Sequence, residues 1–311
     1  MRKTISPLVT LLVFLLVGCS PVSNTPTLQP VDESPSPQLP TLTIATPTAE
    51  SSVLTLEALK NNTYFVPYYQ KTVTLVDGKY GNGTGNDPLN VNLLPEVAFG
   101  DLNGDGTQDA AILLAENGGG SGVFVSVGAV LDQNGTLVQV NNFASIDDRP
   151  VIESLAIKDG RIVLDALVHA PNDPMVSPTM KTSLTYTVSN GTLWLTRMTS
   201  AMQSGSEHNI NIESPSSGSE VDSSVEMKGN MPIGPFENTL GYFITDASGK
   251  RLVSGSFMVS TADVGAPATF DATIDLAGIA SGTIIRVSLF EEDMSGFREY
   301  RALDAVELKV K

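Results

Sequence analysis

The sequence predicts a mainly β chain: an antiparallel-sheet domain (α+β, with little helix) over 52–200, followed by a β-sandwich over 209–311. Three observations carry this. Apolar runs of strand length are joined by the turn pairs Asn134-Gly135, Asp159-Gly160 and Asn190-Gly191, a hairpin signature. β-branched residues are frequent while aromatic residues make up 6% of the chain, which leans towards strand. Residues 209–311 number 103, the length of one sandwich.

In chain order, Met1-Arg-Lys3 is a short positive start before the apolar run Leu8–Val17. That run is too short for a comfortable membrane span and fits the core of a signal peptide, residues 1–18. Leu16-Val17-Gly18-Cys19 resembles a bacterial lipobox. The resemblance implies cleavage before Cys19 and acylation of its thiol with palmitate-type chains. The membrane would then be a partner through the anchor, and the chain would lie in the cell envelope facing outside the cytoplasm. Cys19 is the only cysteine, so no intramolecular disulfide forms. With Cys19 it heads a tether, 19–51, in which 20–51 is dominated by Pro, Ser and Thr. Such a segment buries no core; extended, it reaches about 100 Å.

Within 52–200, Leu54–Lys60 reads as a short helix and Val73–Val76 with Asp77-Gly78 as strand and turn. Gly81–Asn92, rich in glycine and asparagine, reads as a loop. Val123–Leu131 pairs with Leu137–Val140, Val151–Ile157 with Arg161–Val168, and Ser183–Val188 with Leu193–Thr196.

The stretch that carries chemistry is Asp101-Leu-Asn-Gly-Asp-Gly-Thr-Gln-Asp109. Asp101, Asn103, Asp105, Thr107 and Asp109 occupy the first, third, fifth, seventh and ninth places, the oxygen spacing of a calcium loop. Asp101, Asn103, Asp105 and Asp109 would give side-chain oxygens and Thr107 its carbonyl. Carboxylates ~5 Å apart repel by about 3 kcal/mol at an effective dielectric of ~20, so three in nine residues prefer a cation. The bland reading is a hydrated acidic turn. Ile112 stands at the twelfth place, where an EF-hand has its bidentate glutamate. The loop instead resembles the single calcium loops of FG-GAP-type and dockerin-type repeats, and a structural Ca2+ is the expected cofactor.

Other clusters read as scaffold. Gly118–Gly122 lacks the Lys-Ser/Thr ending of a phosphate loop. Asp165, His169, Asp173 and Ser177 lie close in sequence, but prolines 171, 174 and 178 mark a loop and no nucleophile elbow is present. His208 and Glu291-Glu292-Asp293 read as solvated.

Much of 54–197 resembles a family of exported bacterial proteins of unassigned function, through Leu59–Tyr64, Val76–Tyr80, the acidic loop, Glu116–Gly122, Asp148–Leu155 and His169–Met175 with Pro178-Thr179. Relatives often carry a cysteine pair where this chain has Val176-Ser177. The family implies no activity.

Residues 201–208 read as a polar hinge. In 209–311, strands fall at Asn209–Ile212, Val221–Gly229, Leu240–Thr245, Arg251–Val259, Thr269–Ile274, Thr283–Glu291 and Asp304–Val310. Ser214-Pro215, Gly218, Gly229, Pro235-Phe236-Glu237, Asp246 with Gly249, and Phe270 resemble the immunoglobulin-like domain of bacterial spore germination proteins. The resemblance implies a sandwich and an envelope setting.

The formal charge is −16; removing 1–18 takes away Arg2 and Lys3 and leaves −18. A surface this negative argues against nucleic acid as a partner. The expected function is non-enzymatic: an envelope lipoprotein presenting a calcium-stabilised β-rich domain and an immunoglobulin-like domain for binding or assembly at the cell surface, with an envelope protein or a cell-wall glycan as partner. The alternative is a hydrolase of peptidoglycan or polysaccharide using paired carboxylates such as Glu116 and Asp165.

Overall fold

A computed structural model of the chain describes residues 54–81, 88–201 and 205–311. Cys19 and the segments expected to be a signal peptide, 1–18, and a tether, 19–51, lie outside the described residues. Those described are nearly all β, with one five-residue helix, Leu56–Lys60, capped by the Thr55 hydroxyl accepting the Ala58 N–H at 3.0 Å.

The first module centres on the strand Asp109–Asn117, whose residues Asp109 to Glu116 are all buried. Alternate residues face opposite sides. Ala111, Leu113 and Ala115 enter one apolar cluster; Ala110, Ile112 and Leu114 enter another, beneath the helix and the hairpin Thr63–Val66 with Lys71–Thr74. Burial on both faces explains the unbroken apolar run. Its antiparallel partner Phe124–Gln133 carries Gly128, where a Cβ would stand 1.9 Å from the Phe143 ring. Only glycine lets that ring close the sheet face. The segment expected as a loop over 81–92 runs at its end into a strand, Asn90–Leu93, paired with Asp109–Asn117. Its asparagines hid the buried Val91, which supplies the packing.

The second sheet has ten strands and runs through both modules. From one edge, the hairpin Val151–Lys158 with Arg161–Val168 leads to Met180–Ser189 and Thr192–Ala201. Thr192–Ala201 then pairs with Tyr300–Val310, placing Arg197 opposite Asp304 and Met198 opposite Leu303. Ile284–Glu292, Thr239–Asp246 and Arg251–Met258 follow, the last forming the far edge. In the second module this sheet faces Asn211–Ser214, Ser224–Met231, Ala268–Asp275 and Ser260–Thr261 across one apolar core. Glu207–His208, in the segment expected to be a hinge, pairs with Ser200 and Ala201.

Leu303 is 1% exposed and belongs to the first module's core, although its strand crosses into the second module. Leu303→Ala is expected to cost about 2–5 kcal/mol. Urea unfolding followed by fluorescence of Trp194 and by NMR of second-module amides should move together; movement of one alone would contradict a shared sheet.

Candidate functional site

The acidic loop leads straight into the central strand. Asp101 Oδ1 accepts the N–H groups of Asn103 (3.2 Å) and Gly104 (2.7 Å), and Oδ2 that of Gly106 (2.9 Å). Asp105 accepts the Thr107 N–H at 2.7 Å and the Asn103 side-chain amide at 2.8 Å. The Thr107 backbone N–H, then the Asn103 side-chain amide, lower the Asp105 carboxyl. Asp109 is fully buried, its oxygens taking N–H groups from Leu102 and Asp132. Burial raises its carboxyl, and the charges of Asp105 and Asp101 add to the rise. Asp101, Asn103, Asp105 and Thr107 thus sit in a turn closed on its own amides, with Asp109 behind it in the core. Among the described residues, no three Asp, Glu, His or Cys side chains form a set placed to hold a metal.

A second group of charges joins the modules. Asp147 Oδ2 accepts the His169 N–H at 2.6 Å, lies 3.0 Å from His169 Nδ1 and pairs with Arg298 Nη2 at 3.2 Å. Arg298 also donates to the His169 carbonyl at 3.1 Å. The sequence neighbours of His169 go elsewhere. Asp173 ties its own turn through Ala170 and Thr179, and Asp165 accepts from Ser154. Asp147 and Arg298 escaped the sequence because they are 151 residues apart. His208, expected to be solvated, is 8% exposed, with Nδ1 2.9 Å from the buried Glu291. Asp293 is likewise buried and pairs with Arg301 at 3.1 Å. Glu291 and Asp293 are therefore internal while Glu292 stays exposed, and His208 meets Glu291.

Glu116 lies beneath the Tyr68–Tyr69 turn, accepting N–H groups at 3.5 and 3.2 Å. Burial raises its carboxyl. Tyr68 stacks on Phe124 at 3.6 Å between ring centres. Gly118 and Gly119 touch Tyr69 and Pro88 so closely that a Cβ would clash, which fits their reading as turn residues. Glu116 and Asp165 fall in different sheets and different hydrogen-bond networks.

Residues 209–297 match the family described as the immunoglobulin-like domain of bacterial spore germination. The second module is therefore similar to that domain. No curated protein and no solved structure matches the chain.

Burial raises the carboxyls of Asp109, Glu116 and Asp304. Each favours the folded state while protonated, and that contribution is lost as pH rises through its folded-state pKa. The carboxyls of Asp148, Asp173 and Asp293 are lowered, and their contribution is lost as pH falls. In chelator, urea midpoints should therefore peak nearer about pH 5 than about pH 8, and Glu116→Gln should flatten the decline on the alkaline side. A midpoint that climbs steadily to pH 8 would refute this.

Proposed function

We propose that the chain is a non-enzymatic lipoprotein of the cell envelope, acylated at Cys19, that holds a two-module β body away from the membrane for binding or assembly. The observation that supports it best is the pairing of a spore-germination-type immunoglobulin-like module with a second β module through one continuous sheet. Such a sheet presents its surfaces in a fixed relation, as a binding or scaffolding part requires. The Leu16–Cys19 motif and the Pro/Ser/Thr tether supply the mooring. Partners of the kind an envelope offers, another protein or a wall glycan, fit this placement.

In the same proposal the turn at 101–109 takes Ca2+ through Asp101, Asn103, Asp105, Thr107 and Asp109. The mutual effect of Asp101, Asp105 and Asp109 supports it, because a cation relieves that repulsion. Its role is structural: the loop abuts the central strand.

Two experiments test these parts separately. The mature wild-type chain should fractionate with membranes and yield an acylated N-terminal peptide by mass spectrometry, whereas Cys19→Ser should be released. An unmodified thiol on membrane-bound wild type would sink the anchor. For calcium, ten times the dissociation constant should stabilise chelator-stripped protein by about 1.4 kcal/mol. Asp105→Ala should abolish the gain. No calorimetric heat and no shift in wild type would leave the loop a hydrated turn.

A further inference from the structure

The far edge of the ten-stranded sheet is Arg251–Met258. Among the described residues it pairs on one side only, with Thr239–Asp246. Free edges are commonly guarded by proline, inward charges or bulges. Here Arg251 is the only charge, at the start, no proline interrupts the eight residues, and the one register shift falls at that same start, where Ile244 pairs with Val253 and Thr245 with Arg251, leaving 253–258 in regular register. Ser254, Gly255 and Ser256 are small and exposed, so nothing bulky screens the outward backbone.

Beside this stretch lies a pocket of about 350 Å³, lined by Gly255 and Ser256 of the edge strand together with Phe236, Glu237, Glu292 and Met294. Phe236 and Met294 are 59% and 55% exposed. Glu237 and Asn238 both hold left-handed backbone, with φ of 52° and 54°. For residues other than glycine that conformation is strained, and such strain concentrates at functional positions.

We propose that this edge is a docking site for an extended, basic segment of another protein, added as an eleventh strand. Backbone hydrogen bonds would bind it. A lysine or arginine side chain would lay its stem against Phe236 and Met294 and bring its head to Glu237 and Glu292. A second copy of this chain fits worse, because two bodies of formal charge −16 repel. The inference deepens the binding role proposed above and rests on it.

The test uses the full chain and labelled twelve-residue peptides of alternating threonine and valine. One version carries two lysines and one carries two glutamates. Two more carry the lysines with N-methyl groups on odd or on even residues. The lysine peptide should bind, slow amide exchange at 251–258 at least tenfold, and exceed the glutamate peptide at least tenfold in affinity. One N-methyl phase should abolish binding and the other retain it, because a strand-paired peptide uses alternate N–H groups. The exposed pair Glu237→Lys/Glu292→Lys should reverse the charge preference.

Equal binding of both N-methyl phases, no protection at 251–258, no binding, or self-association of the chain through this edge would overturn the proposal. Envelope binding by the chain that survives such a result would leave the broader binding role standing.

Discussion

Asp304 stands where three pieces of the molecule meet. Its carboxylate accepts the Ile212 N–H at 2.9 Å, from the first strand of the sandwich, and the Ala305 N–H at 3.1 Å. Arg197, its register partner on Thr192–Ala201 of the first module, lies 3.5 Å away. A half-buried ion pair adds little net stability, since desolvation offsets the attraction. Register is another matter. A slip by one residue would turn Asp304 to the other face and carry Leu303 out of the core. The charge pair and the leucine beside it fix how the two modules share one sheet.

The remaining features follow from that sharing. Tyr300–Val310 cannot join Thr192–Ala201 without bringing the segment before it against the first module. Arg298 then reaches Asp147 and the His169 carbonyl. Glu207–His208 extends the pairing from the other side and covers Glu291. Both histidines of the chain thereby end up buried near the join, each beside a carboxylate. Among the described residues the far edge at Arg251–Met258 pairs on one side only.

Hairpins were legible in the sequence because their signals are local. Asp159-Gly160 and Asn190-Gly191 sit at the turns with positive φ, and the strands around them pair as the alternation implies. The strand Asn90–Leu93 was not legible, because polar letters surround its one buried valine. The acidic loop was readable as a turn from its glycines. Which atoms its oxygens contact depends on rotamers that spacing does not specify. The charges at the join were beyond reading altogether: Asp147 and Arg298 meet only once two sheets have formed. The open edge was hidden for a related reason, since Arg251–Met258 reads like any other strand until its neighbours are counted.

Rigid connection of the modules is the claim on which the rest turns. Residual dipolar couplings of backbone amides, collected on the protein in one alignment medium, test it directly. Couplings from 151–201 and from 239–310 should fit a single alignment tensor. Two tensors of different magnitude or orientation would mean that the modules move independently, and the shared sheet would not describe the protein in solution.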